Sequence, residues 1–179
     1  MKLKTPTDFS TRPTSDRVKE SLFSILNGMK DFSEVEAVLD IFAGTGALGL
    51  ESLSRGAKSA VFIDVATSDL ISENIRRAKF ENFCKVFRGD FKKVLQKISR
   101  QDLKFDLIFS DPPYAKGLAQ STANLISELE LLRQDGLLIV EHGTGENLEL
   151  PQNLNLIRKM TYGKTTEIEI FELSKGVSQ

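Results

Sequence analysis

The chain has no tryptophan, a single cysteine (Cys84) and a single histidine (His142) in 179 residues. One cysteine excludes an internal disulfide and any multi-cysteine metal cluster. With one histidine beside it, nitrogen and sulfur ligands are too few for a zinc or non-haem iron centre, so no metal is expected. Cys84 reads as a small, buried apolar residue. No apolar run approaches the roughly 20 residues that span a bilayer. The opening Met1-Lys2-Leu3-Lys4-Thr5-Pro6 lacks the apolar core of a secretory signal. A cytoplasmic location without a membrane partner is the expectation. Charge of one sign is lacking as well. The formal net charge is -1 and the pI about 6.0, a balance that argues mildly against a chain coating phosphate backbone.

What is present is ordinary for a globular protein: 40% hydrophobic and 27% charged residues, enough for one domain over residues 1–179. Short β-branched and aromatic runs alternate with helical stretches. Residues 35–42, 60–64, 85–88, 105–109 and 136–141 read as strands. Helices are predicted over 47–54, 68–78, 91–98 and 118–132. Strand and helix in strict alternation predict a parallel sheet with helices on both faces. After Pro151 the pattern changes: residues 154–160 and 167–173, separated by Tyr162-Gly163-Lys164, predict an antiparallel hairpin that brings the sheet to seven strands. Ahead of the sheet, Val18, Leu22, Ile25 and Leu26 form one helical stripe, with Thr14 or Ser15 available as N-cap. Monomer is the default.

In open α/β sheets, ligands bind beyond the carboxyl ends of the strands. Four of the five parallel strands carry an aspartate at or just after that end: Asp40, Asp64, Asp90 and Asp111. Asp90 and Asp111 also suit helix caps. Four carboxylates on one edge nevertheless make a pocket for cations or hydrogen-bond donors. The loop after the first strand, Asp40-Ile41-Phe42-Ala43-Gly44-Thr45-Gly46-Ala47-Leu48-Gly49, satisfies G-x-G-x-x-G, and Asp64 stands 20 positions beyond Gly44. That spacing fits a dinucleotide fingerprint, and hence an oxidoreductase. Asp40 would repel a pyrophosphate seated on the following helix, however. S-adenosylmethionine brings an ammonium and a sulfonium instead, and Asp64 suits the ribose of either cofactor. The aspartates favour S-adenosylmethionine.

After the fourth strand comes Asp111-Pro112-Pro113-Tyr114. Two prolines remove two backbone donors and leave an edge of acceptors, with an aromatic ring next to it. An exocyclic base amine, whose lone pair is delocalised into its ring, needs that set. A carboxylate and a carbonyl accepting from the NH₂ would localise the lone pair, and Tyr114 would stack on the base.

Three segments together resemble the bacterial RsmD-type family, which methylates the N2 amine of a guanine in small-subunit ribosomal RNA. They are Arg12-Pro13-Thr14-Ser15-Asp16-Arg17-Val18-Lys19-Glu20-Ser21-Leu22-Phe23, residues 38–51 around the glycine loop, and Asp111-Pro112-Pro113-Tyr114. Val140-Glu141-His142 and Tyr162-Gly163 are similar too. The resemblance implies a class I methyltransferase fold, Rossmann-like. It implies that Gly44 and Gly46, with Phe42 and Ala43, approach the methionine part of the cofactor, and that Asp40 lies near its ammonium. Asp64 and Val65 would hold the ribose, and Asp90 with Phe91 the adenine. Arg12 and Thr14, in an N-terminal segment over residues 1–30, would close over the cofactor. Asp111, Pro112, Pro113 and Tyr114 would clamp the flipped guanine. Only eleven residues precede Arg12, so most of the glycine-rich, basic strand with which such proteins usually begin is expected to be missing. The partner implied is small-subunit ribosomal RNA or a partly assembled small subunit.

Adenine-N6 methylation of DNA or RNA uses a similar tetrapeptide, and a non-catalytic RNA-binding assembly factor on the same fold is a further alternative. Two basic clusters, Arg76, Arg77 and Lys79, then Lys92, Lys93, Lys97, Arg100 and Lys104, read more readily as solvated helix faces than as an RNA surface. His142 reads as a packed or capping residue.

Overall fold

In the computed structural model, residues 3–4, 16–113 and 117–174 are described. Among these residues, seven strands form one sheet: β1 Val38–Ile41, β2 Ala60–Asp64, β3 Cys84–Arg88, β4 Phe105–Ser110, β5 Leu132–Gly143, β6 Leu154–Tyr162 and β7 Thr166–Leu173. Their order is β3-β2-β1-β4-β5-β7-β6. The first five strands pair in parallel, and β7 runs antiparallel to both β5 and β6. The predicted seven-stranded mixed sheet with its terminal hairpin is the sheet observed; the last strand in sequence inserts beside β5 and leaves β6 on the edge.

Among the described residues, five helices cover the sheet: α1 Asp16–Met29, α2 Ala47–Ser54, α3 Ser68–Ala78, α4 Phe91–Ser99 and α5 Leu118–Glu128. No described helix is long and apolar enough to cross a membrane. Side chains alternate across a strand, so each strand feeds two cores. Val38, Phe62, Leu107, Phe109, Leu137 and Ile139 pack under α1, α2 and α3 with Leu22, Phe23, Leu50 and Ile71. Leu39, Ile41, Ile63, Ile108, Leu138 and Val140 pack under α4 and α5 with Leu95, Ile98 and Ala123.

Three boundaries differ from expectation by three residues or more. The first strand begins at Val38 rather than Val35, because residues 32–34 form a 3₁₀ turn capped by Asp31. The fifth helix stops at Glu128 instead of continuing to Leu132, and the strand after it starts four residues early. Glu130 takes a left-handed backbone (φ +50°), which a helix cannot continue through. Leu131 then accepts from the Phe105 N–H at 2.8 Å, and a bulge absorbs the residues before Gly136. A side chain at Gly136 would lie 3.0 Å or less from Leu132, Arg133 and Phe105, so only glycine fits the bulge.

Cys84, expected to be buried, is half-buried, because β3 is an edge strand. Partial burial, with the Glu81 carboxylate nearby, still pushes its thiol up to about 12. His142 is 1% exposed and packs as expected. Its Nδ1 lies 3.1 Å from the Gly143 carbonyl and its Nε2 3.6 Å from Glu169. Glu167 and Glu169 complete this cluster, whose possible ligand atoms lie within 4.8 Å of one another. The cation serving both glutamates is the Lys159 ammonium, at 2.9 and 3.0 Å.

Candidate active site

Alternation along the strands decides which carboxylates meet. Val38 and Asp40, Phe62 and Asp64, Phe109 and Asp111, Ile139 and Glu141 are spaced by two, so each acidic residue continues the side of its strand that packs under α1, α2 and α3. Four carboxyl groups from β1, β2 and the ends of β4 and β5 therefore share one face at one edge. Three of them were expected. Glu141, marked in the sequence only by the resemblance of Val140-Glu141-His142, is the fourth, and its place two residues beyond the buried Ile139 is legible in the sequence. With Ser110, Asp111, Leu22 and Leu48 it lines a small cleft between β4, β5 and α1.

Asp40 lies at the centre and is 2% exposed. Its Oδ2 accepts the Gly49 N–H at 2.9 Å, an amide of the first turn of α2 that has no partner within the helix. Burial, only partly offset by that hydrogen bond and reinforced by the charges of Asp111 and Asp64, pushes the carboxyl up to about 8. Asp64 holds the loops. Its Oδ2 accepts the Gly44 N–H at 3.0 Å and its Oδ1 the N–H groups of Ala66 and Thr67, both at 2.8 Å. The loop between β1 and α2 turns through Phe42 (φ +60°), Gly44 (φ +56°) and Gly46 (φ +77°). Gly49 is demanded by packing rather than by backbone angle: a methyl group there would lie 2.4 Å from the Phe62 ring and 3.3 Å from Asp40. The third glycine of the motif thus lets α2 approach β2 and bring its amide to Asp40.

Asn74, which sequence reading passed over, ties this loop to the N-terminus. It is fully buried in α3. Its amide donates to the Thr45 carbonyl at 3.0 Å and the Lys4 carbonyl at 3.1 Å, and its Oδ1 accepts the Lys4 N–H at 2.9 Å. A buried asparagine on an amphipathic helix was its only signal. α1 is anchored separately, by Ser21 to Tyr162 at 2.9 Å and by Arg55 of the α2 end stacked 4.9 Å over the Phe23 ring.

Asp90 is exposed and caps α4, accepting the Lys93 N–H at 3.2 Å. Beside it, the rings of Phe91 and Phe42 lie 4.9 Å apart and join the ends of β1 and β3 in an apolar wall. Val65 is 67% exposed at the end of β2. Ala43 is nearly buried, its N–H donating to the Ile63 carbonyl at 3.1 Å. After β4, Asp111 is half-buried, Pro112 buried and Pro113 exposed. The Ser110 hydroxyl, 1% exposed, and the buried Thr67 hydroxyl have no hydrogen-bond partner among the described residues. Arg12, Thr14 and Tyr114 lie outside the described residues, as do the capping positions Thr14 and Ser15.

Residues 1–171 match the family model described as "Conserved hypothetical protein 95". Ribosomal RNA small subunit methyltransferase D of Haemophilus influenzae is 34% identical over 161 residues, covering 85% of this chain and 78% of that protein. The protein of the same name from Escherichia coli K12 is 33% identical over 166 residues, covering 91% and 80%. Among solved structures, a hypothetical protein of Thermus thermophilus superposes with a TM-score of 0.80 at 28% identity, covering 97% of this chain and 94% of that one. The chain belongs to the conserved hypothetical protein 95 family, the RsmD-type family that includes these ribosomal RNA small subunit methyltransferases.

Proposed function

We propose that this chain is one methyltransferase domain, spanning residues 1–179, that moves a methyl group from S-adenosylmethionine to the exocyclic N2 of a guanine in small-subunit ribosomal RNA. The observation that carries the reading is the convergence of Asp40, Asp64, Asp111 and Glu141 on one face of one sheet edge, with the acceptor-rich Asp111-Pro112-Pro113 directly after β4. Family membership supports the same substrate class. The residues fit the cofactor on two counts. The charges of Asp111 and Asp64 raise the proton affinity of the buried Asp40 carboxyl, so the cluster calls for a cation. A buried Ser110 hydroxyl without a partner among the described residues sits where a polar ligand would satisfy it.

S-adenosylmethionine supplies an electrophilic methyl group on a positively charged sulfur. Asp40, through its place beside Gly49, and the loop amides after Gly44 would hold the amino-acid end. Asp64 would accept from the ribose, and Asp90 with the Phe42–Phe91 wall would take the adenine. On the acceptor side, the Asp111 carboxylate and the Pro112 carbonyl accept from the guanine NH₂ and localise its lone pair. Asp111 takes the proton that the nitrogen sheds. Tyr114 would stack on the base, worth ~1–3 kcal/mol. Most of the acceleration comes from holding the reactants in line. The protein would work as a cytoplasmic monomer on RNA or on a partly assembled small subunit.

The test is transfer of labelled methyl from S-adenosylmethionine into small ribosomal subunits from cells lacking the enzyme. Wild type transfers label. Asp111→Ala binds the cofactor but transfers at least about 100-fold more slowly, since it loses both the acceptor and the orientation it imposes. Label-free RNA with a cofactor-bound wild type would overturn the substrate assignment.

A further inference from the structure

The chain is nearly neutral, yet its charge is segregated. Residues 76–104 hold ten of the 24 basic residues and only three of the 25 acidic ones. This segment is the β3 edge of the sheet with the end of α3 and the whole of α4, which flank that strand on opposite faces. All ten basic side chains are exposed. Among the described residues, only Arg88 and Lys104 make an ion pair, at 3.9 and 4.0 Å.

α4 concentrates the pattern. Phe91, Val94, Leu95 and Ile98 face the core, so Lys93, Lys97 and Arg100, at i, i+4 and i+7, share one outward stripe. The stripe runs about 10 Å along the helix and its flanking residue at 1.5 Å per residue. Local electrostatics disfavour this arrangement. Lys92 and Lys93 occupy the first turn, where the helix dipole prefers anions. Lys93 and Lys97 form a like-charge i, i+4 pair. A face kept only for solubility would mix its signs, as the rest of this surface does. Aromatic rings lie within the patch. Lys97 sits 5.7 Å over Phe87, Lys92 5.8 Å over Phe91, and Phe83 is 50% exposed. The start of α4 adjoins Asp90 at the reaction edge, so the stripe leads from the site down the flank of the sheet.

We infer that the α4 stripe, Lys93, Lys97 and Arg100, with Arg88 and Lys92 at its upper end, is a phosphate-backbone track that carries the ribosomal RNA substrate to the reaction edge. The inference rests on the RNA-methyltransferase reading and names the surface that reading lacks. The solvated-face interpretation explains exposure but not the concentration of one sign where the helix itself opposes it.

The test compares K93Q/K97Q/R100Q with K30Q/K58Q/K164Q, which removes the same charge elsewhere. Binding of fluorescent, unmodified small-subunit ribosomal RNA is measured from 50 to 300 mM KCl, beside calorimetric affinity for S-adenosylmethionine. The α4 triple should lose about tenfold in RNA affinity at low salt, and its log–log salt slope should be shallower by about 2 if three phosphate contacts are lost. Its cofactor affinity should stay at the wild-type value, and the control triple should keep the wild-type slope. A second variant covers the case of a misfolded triple. Lys93→Glu suits the first turn of α4 and should raise the melting temperature while weakening RNA binding. Unchanged affinity and slope in both α4 variants, with a wild type that methylates the RNA, would overturn the track. So would an equal loss in the control triple. A wild type that neither binds nor methylates this RNA would instead overturn the functional reading, and the track with it.

Discussion

Asp40 shows what a single side chain can cost and supply. A carboxyl group this buried is stable in the native state chiefly with its proton on, which is why it is pushed up to about 8. The linkage follows. Below about pH 4 the group is protonated in both folded and unfolded chains and costs nothing. Between there and pH 8 the native state keeps a proton that the unfolded chain has released, so stability falls as pH rises. Above 8 the loss is complete. Asp40→Asn, which can still accept from Gly49, should therefore flatten this fall. Its advantage in melting temperature over wild type should grow from pH 5 to pH 9, measured by circular dichroism. Parallel curves for the two proteins would contradict the burial argument. Gly49→Ala tests the neighbouring contact. The added methyl would overlap the fully buried Phe62 ring, so urea titration should show a loss of roughly 2 kcal/mol and calorimetry weaker cofactor binding. A change confined to stability would mean that α2 holds its amide at Asp40 despite the shift.

Elements were legible where one physical signal dominated. The glycine loop and the four aspartates follow from turn chemistry and from the rule that ligands gather at strand ends. The hairpin follows from alternation in Glu167–Leu173. The join between α5 and β5 was not legible, because Leu125, Leu129 and Leu132 keep a helical spacing across residue Glu130, whose left-handed backbone ends the helix. Nor was Asn74, since a buried amide that serves Thr45 and Lys4 depends on long-range packing that no local pattern encodes. The hairpin carries its own prediction. Lys159 of β6 is the shared cation of Glu167 and Glu169 on β7, and its side chain is 40% exposed while theirs are 14% and 9%. Lys159→Met should destabilise the protein by about 1–3 kcal/mol, between the values for surface and buried pairs. Chemical denaturation reads this directly; a loss below a few tenths would show that water already screens the glutamates.

At the scale of the whole molecule, the sheet separates tasks. The α1–α3 face gathers carboxylates toward a cationic cofactor, β4 ends in acceptors suited to an amine, and the β3 flank carries positive charge suited to a polyanion. These features agree with membership of a ribosomal RNA methyltransferase family. The most direct test of the central claim is the identity of the product. Small ribosomal subunits lacking the modification are incubated with the protein and S-adenosylmethionine, digested to nucleosides, and analysed by mass spectrometry against standards. N2-methylguanosine, absent with Asp111→Ala, is the result predicted. N6-methyladenosine, or no new methylated nucleoside beside a cofactor-bound protein, would contradict it.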